Sequence, residues 1–179
     1  MTKQLTKTDW LEFGLRTLLV EGPTALKADT LAKKLKVSRG SFYWHFRNLA
    51  DFKTAVLALW RDRSTTQIIA DLSIDDNAPA LATLITRAFE SRDKTEGAIR
   101  AWAQQDGTVA QTVAEVDGLR LSYIARLLQA EGIPKTQIAT RARLLYWAYL
   151  GQQVYHETQQ SAEDMPDVGH ILDVILADT

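Results

Sequence analysis

Apolar residues recur every three or four positions along most of the chain, with polar residues between them. Near the start, Trp10, Leu11, Phe13, Leu15 and Leu18 make such a stripe. It predicts a helix capped by Thr6 or Thr8 and ended by Glu21-Gly22-Pro23. A short second helix fits Ala28 to Leu35, with Leu31 and Leu35 inward, and a tight turn at Lys36-Val37 leads to Ser38, the expected N-cap of a third. Asn48 with Asp51 three residues on resembles a capping box. It opens a long fourth helix over about residues 48–72, with Phe52, Ala55, Val56, Leu59 and Trp60 as its apolar stripe.

A polar loop, Ser73 to Asn77, follows, and Pro79 is expected in the first turn of a helix carrying Leu81, Leu84, Ile85, Ala88 and Phe89. Another helix centres on Ile99 and Trp102. Thr108 with Gln111 reads as a capping box for a long helix through Val109, Val113, Val116, Tyr123, Ile124, Leu127 and Leu128. Gly132 followed by Pro134 ends it, and a strongly apolar helix runs from about Lys135 to Thr158. After the polar loop Gln159 to Asp164, a last helix is expected from Pro166 to about Ala177. Since no strand alternation competes, the fold class is all-α.

Composition narrows function. The 179 residues and 46% hydrophobic content suit a folded protein with a real core, and the absence of cysteine excludes disulfides and thiolate metal sites. Glu12 and Arg16 interrupt any signal-peptide core, and no apolar run spans a membrane, so the expected location is the cytoplasm. The net charge of -1 conceals an asymmetry: residues 1–60 carry a net +5 and the remainder a net -6. Seven Lys and Arg lie between Lys27 and Lys53, against only Asp29 and Asp51, either as a solvated basic face or as a field for a polyanion.

That basic segment holds the run KVSRGSFYWHFRN, residues 36–48. On a helix turning about 100° per residue, Phe42 and Phe46 fall together as core with Leu49 between them, and Arg39, Tyr43 and Arg47 share another side with Gly40 and Trp44 beside them. Two short helices joined by a tight turn, the second presenting such residues, form a helix-turn-helix. Gly40 would let a backbone approach DNA; Ser41 suits a phosphate or base edge, and Arg39 suits guanine. Tyr43 and His45 would donate to phosphates beside the helix's N-terminal amides, and Ser38 sits at that end. Lys27, Lys33, Lys34, Lys36, Arg47 and Lys53 would neutralise the DNA backbone. Trp44 has two candidate roles, against a thymine methyl or bracing the fourth helix.

From about Trp10 to Trp60, through Gly22, Leu31-Ala32, Leu35, Val37-Ser38 and Ser41-Phe42-Tyr43-Trp44-His45-Phe46, the chain resembles the DNA-binding domain of TetR-family transcriptional regulators. It departs from the pattern at Lys36, where a turn glycine is common, at Leu49, where a lysine usually follows the asparagine, and at Lys27, where Thr or Ser usually caps the second helix. The resemblance implies an N-terminal three-helix domain, residues 1–50, containing the helix-turn-helix. It implies a helical ligand-binding and dimerising domain in residues 51–179. It further implies a homodimeric repressor, released from a partly palindromic double-stranded DNA operator by a small-molecule effector.

Within the second domain, Leu144, Leu145, Ala148, Tyr149, Gly151 and Gln152, with Ile171, Leu172, Val174 and Ile175, offer more apolar surface than one core face needs and are the expected dimer interface. Trp102, Gln105, Tyr123, Leu127, Tyr146, Trp147 and Tyr155 are candidate pocket residues, though each suits ordinary core packing better than ligand contact. His156 and His170 lack further ligands at metal spacing, and no nucleophile, base and acid constellation or phosphate-cradling loop is present. The chain is therefore expected to be neither an enzyme nor dependent on a metal or cofactor. Two alternatives stay open: a DNA-binding dimer without a small-molecule ligand, and an all-helical adaptor or enzyme that does not bind DNA.

Overall fold

A computed structural model of the chain describes residues 5–73, 79–158 and 167–177, the side chains of 155–158 excepted. Among the described residues ten α-helices follow one another: α1 (Lys7–Glu21), α2 (Ala28–Lys34), α3 (Arg39–His45), α4 (Leu49–Arg61), α5 (Gln67–Leu72), α6 (Ala80–Glu90), α7 (Thr95–Ala103), α8 (Gly107–Ala130), α9 (Lys135–Thr158) and α10 (Val168–Leu176). Among the described residues there is no strand. The chain stays helical from α4 to α5 through a π segment, Asp62–Thr66, as the expected long helix over 48–72 requires.

Contacts divide the chain into two units, one of Met1–Ser64 with Thr95–Val113, the other of Thr65–Lys94 with Ala114–Thr179. The sequence boundary at residue 50 falls inside the first unit, because the buried stripe of α4 packs on α1.

In the first unit Thr6 is the cap of α1: its hydroxyl accepts from Asp9 N at 3.1 Å, and Asp9 accepts from Thr6 N at 2.8 Å. The core is aromatic. Phe42 is fully buried, edge-on to Trp10 at 5.4 Å and 5.2–5.3 Å from Phe46 and Phe52. Aromatic pairs at such angles add to the burial of apolar area. Gly14 lets α1 approach α4: a Cβ there would stand 2.6 Å from Phe52 Cζ and 3.1 Å from Val56 Cγ2. Among the α4 residues, Phe52, Val56, Leu57 and Trp60 are buried, so Leu57 belongs to the core while Ala55 and Leu59 are half-buried.

Several helix ends differ from expectation. The carboxylate of Asp106 caps α8, accepting from Thr108 N at 3.1 Å and Val109 N at 3.4 Å, so Thr108 lies inside the helix. An aspartate two residues earlier offers the stronger acceptor for these orphan amides. Pro79 is the N-cap of α6 rather than part of its first turn, and Leu35, the half-buried C-cap of α2, contributes less core than expected. Asn48 caps α4 through Asp51 N at 2.8 Å, but Asp51 returns its bond to Arg47 N at 3.0 Å instead of to the cap residue. α10 starts at Val168 behind Asp167, whose carboxylate accepts from Gly169 N at 2.7 Å. Pro166, the loop Gln159 to Asp164, and most of the loop Ser73 to Asn77 lie outside the described residues.

The second unit packs Leu81, Ile85 and Phe89 of α6 against Ile124 and Leu128 of α8, Ala142, Leu145 and Tyr146 of α9, and Ile175 of α10. Gly132, at φ +84°, ends α8 as anticipated. Ile133 N donates to Leu128 O at 3.2 Å and Gly132 N to Gln129 O at 3.1 Å, a reversal that needs a left-handed residue and seats Ile133 in the core. Arg141 reaches from α9 to the end of α10, donating to Ile175 O at 2.6 Å and Ala177 O at 2.8 Å. A cation there satisfies the helix's last carbonyls.

Candidate nucleic-acid interface

α2 and α3 meet through a turn closed by Val37 N donating to Ala32 O at 3.0 Å. Lys36 holds that turn at φ +55°, the left-handed region that glycine occupies without strain. Ser38 is the N-cap residue of α3 by its extended backbone, and its carbonyl accepts from Ser41 N at 3.0 Å. Phe42 anchors the inner side of α3 in the aromatic core. Arg39, Gly40, Tyr43 and Trp44 are exposed on the other, Trp44 at 77% and Tyr43 at 44%. An indole so open does not brace α4, which removes one of its two candidate roles.

The arginine and tyrosine are organised. Arg39 Nη2 donates to the Tyr43 hydroxyl at 3.0 Å, its guanidinium lies 5.3 Å from the Tyr43 ring centroid, and Nε stands 3.2 Å from Asp29 Oδ1 of α2. Gly40 has space beside it: a Cβ would meet only Ser38 Oγ, at 3.6 Å. Ser41 is half-buried, whereas Lys27, Lys33 and Lys36 are exposed.

Three expected contacts are placed differently. α3 stops at His45, because Phe46 turns extended (φ -134°, ψ 131°) to enter the core. Arg47 and Leu49 therefore leave the faces that a longer helix would assign them; Arg47 lies 3.7 Å from Asp51, 88% exposed, and Leu49 opens α4. His45 is half-buried, with Nε2 2.8 Å from Leu5 O, so as an N–H donor it is spent on the backbone just before α1 instead of a phosphate. Lys53 sits 3.9 Å from Asp106 and 5.4 Å from the Trp102 ring centroid, tying α4 to the start of α8. Lys34 pairs with Glu21 and Arg63 with Glu12, and the Arg63 hydrogen bond lowers the Glu12 pKa below its ordinary value.

The remaining candidates divide between the two units. Trp102 is buried in the first, with Gln105 exposed in the same unit. Tyr123 and Tyr146 are buried and Leu127 half-buried in the second. There the Tyr146 hydroxyl donates to Asp117 Oδ1 at 2.7 Å and accepts from Arg120 Nη1 at 3.3 Å, while Arg120 Nε donates to Thr65 Oγ1 at 2.9 Å. Trp147 is 60% exposed and so lines no interior; Tyr155 and His156 lie outside the described side chains. Of the dimer candidates, Leu144, Ala148, Gly151 and Val174 face outward. Leu145 and Ile175 are core, and Tyr149, Gln152, Ile171 and Leu172 are half-buried against it, Gln152 donating to Phe89 O at 2.9 Å. No helix among the described residues is long and apolar enough to cross a membrane, and none of their carboxylates and imidazoles group as a metal site.

Residues 11–52, the span of α1 to the start of α4, match the family model for bacterial regulatory proteins of the tetR family. Among curated relatives, the HTH-type transcriptional regulator SrpR of Pseudomonas putida is 24% identical over 69% of this chain and 60% of its own length. The transcriptional regulator AcuR of Cereibacter sphaeroides is 27% identical over 84% of this chain and 61% of its own. The chain thus spans about three fifths of the length of these two regulators. Among solved structures, Salmonella enterica GusR superposes with a TM-score of 0.68 at 16% identity, covering 95% of this chain and 94% of that one. BioQ, solved with its natural double-stranded DNA operator, superposes at 0.52 with 20% identity, covering 98% and 100%. Residues 11–52 thus carry the N-terminal helix-turn-helix domain of the tetR family of bacterial regulatory proteins.

Proposed function

We propose that the chain is a sequence-specific transcriptional regulator that binds a partly palindromic double-stranded DNA operator as a homodimer and is released from it by a small-molecule effector. The observation that carries this reading is the outer face of α3: Arg39, Gly40, Tyr43 and a 77% exposed Trp44 stand on a helix locked from behind by Phe42. A large apolar ring left open on a short helix suits a surface that gains a partner, and a major groove offers that ring thymine methyls. Lys27, Lys36 and Arg47 suit the flanking phosphates, with Ser38 and Ser41 as short hydroxyl donors. The resemblance to BioQ, whose solved structure includes its double-stranded DNA operator, supports DNA as the partner.

Dimerisation is supported by α9. Leu144, Trp147, Ala148, Gly151 and Val154 are exposed at helical spacing on the face opposite Ala142, Leu145 and Tyr146. A helix apolar on both faces needs a second surface to cover it, and a two-fold partner supplies the same stripe in return. The effector would act on the second unit by favouring one arrangement of the dimer over another, to the extent of its differential affinity.

The test is selection of duplexes from a random-sequence pool, followed by footprinting on the DNA upstream of the gene. Enrichment of an inverted repeat with half-sites about one helical turn apart, about 34 Å, bound with a steep salt dependence, supports the reading. No enrichment overturns it. A screen of diverse small molecules by thermal shift tests the effector, since a ligand of the native state raises Tm.

A further inference from the structure

The most basic stretch of the chain carries one exposed carboxylate beside the outer residues of α3. Asp29 lies in the first turn of α2, 69% exposed, on the side where the α3 residues meet solvent. There it repels phosphate. As an exposed ion pair, its contact with Arg39 contributes little to stability. What it does is geometric. Asp29 Oδ1 stands 3.2 Å from Arg39 Nε, while the Tyr43 hydroxyl accepts from Nη2 at 3.0 Å. Tyr43 itself is edge-on to Phe42 at 5.3 Å, and Phe42 is fixed among Trp10, Phe46 and Phe52.

A guanidinium has five N–H groups in a rigid fork. The tyrosine accepts from one on Nη2 and the carboxylate stands in ion-pair contact beside Nε; the two on Nη1 and the second on Nη2 are left for a pair of acceptors such as O6 and N7 of guanine. An arginine without this hold is a flexible cation that settles on the nearest phosphate, where it contributes affinity without sequence preference. We propose that Asp29 is the positioning residue that makes Arg39 a base reader: with Tyr43 it fixes the guanidinium edge-outward and denies it to the DNA backbone. The inference rests on the DNA-binding function proposed above.

The test uses the full chain and the duplex selected by the wild type, together with duplexes carrying each single base-pair substitution. Asp29→Ala should bind random-sequence DNA several-fold more tightly and steepen the salt slope by about one phosphate contact. Discrimination at one guanine position should fall about ten-fold, the range of one bidentate contact. In the Arg39→Ala background, Asp29→Ala should remove no further discrimination, because the two side chains act as one unit. Asp29→Asn, which keeps the shape and a weaker acceptor at the start of α2, should fall between wild type and Asp29→Ala. It also serves should the alanine variant not fold.

A merely structural role at the α2 N-terminus would weaken all sequences by one factor, leaving the slope and the discrimination unchanged. That result overturns the proposal, as does additive loss in the double variant. Wild-type protein that selects no preferred duplex overturns the function itself, and is told apart because no variant is needed to see it.

Discussion

At Gly40 the free protein has room for a methyl group, with only Ser38 Oγ within 4 Å. A glycine inside a helix is less favourable than alanine by roughly 0.5–1 kcal/mol, a cost that fits the proposed close approach of DNA. Gly40→Ala should therefore raise thermal stability slightly while weakening binding to the selected duplex; calorimetry and a binding titration on one preparation check both. Lys53 shows the reverse. Held between Asp106 and the Trp102 ring, it works inside the first unit. Lys53→Ala should lower Tm and leave the salt slope of DNA binding unchanged, whereas Lys27→Ala should lower the slope by about one contact.

Among the elements, the close approach of α1 to α4 rests on Gly14. Phe52, against which an added Cβ would press, is fully buried among other rings and has nowhere to retreat. Gly14→Ala should cost about 1–3 kcal/mol, read from denaturant unfolding. The turn between α2 and α3 is strained in a correctable way. Lys36 at φ +55° carries the penalty of a left-handed L-residue, roughly 1–2 kcal/mol, part of which glycine returns as unfolded-state entropy. Lys36→Gly should stabilise by about 0.5–1 kcal/mol and lose one phosphate contact if the ammonium meets DNA.

Asp51 gives the first unit an acid limb. Accepting from Arg47 N and lying near its guanidinium, its carboxyl sits below its ordinary value. Its contribution to stability is present above the unfolded-state pKa, about 3.9, and is lost as pH falls through the lower folded value. Asp51→Asn should flatten that limb in melts between about pH 2 and 5.

How far these elements were legible in the sequence depended on what set each boundary. Stripes with a 3.6-residue period predict most of the helices, and a threonine cap before α1 and the reversal at Gly132 are local chemistry that a sequence displays. The end of α3 was not legible. Phe46 leaves the helix to reach Phe52, a contact across elements, and so Arg47 and Leu49 were assigned to faces that do not exist. The sequence offers Lys53 as a cation and His45 as a donor for phosphate because their partners, Asp106 and Leu5 O, are distant in the chain. Arg39, Gly40, Tyr43 and Trp44 need only helical rotation to share a face, and all four are exposed.

For the whole molecule, the proposed dimer face separates from the core by side rather than by residue type. Leu144 and Leu145 are neighbours in sequence, one half-exposed at 52% and the other buried at 4%. Leu144→Glu should abolish dimerisation in sedimentation experiments with little change in helicity, and DNA affinity should fall with it because half-sites are then bound singly. Leu145→Glu should instead prevent folding, since it buries an unpaired charge.

The distribution of indoles also equips the chain for optical work. Of five tryptophans, Trp10, Trp60 and Trp102 are at most 2% exposed, while Trp44 and Trp147 are open, one on α3 and one on the outward face of α9. A dissolved quencher such as iodide should reach only these two. Trp147→Phe then leaves Trp44 as the accessible emitter and Trp44→Phe leaves Trp147, so operator capture and subunit pairing can be followed separately, in real time and without an attached dye.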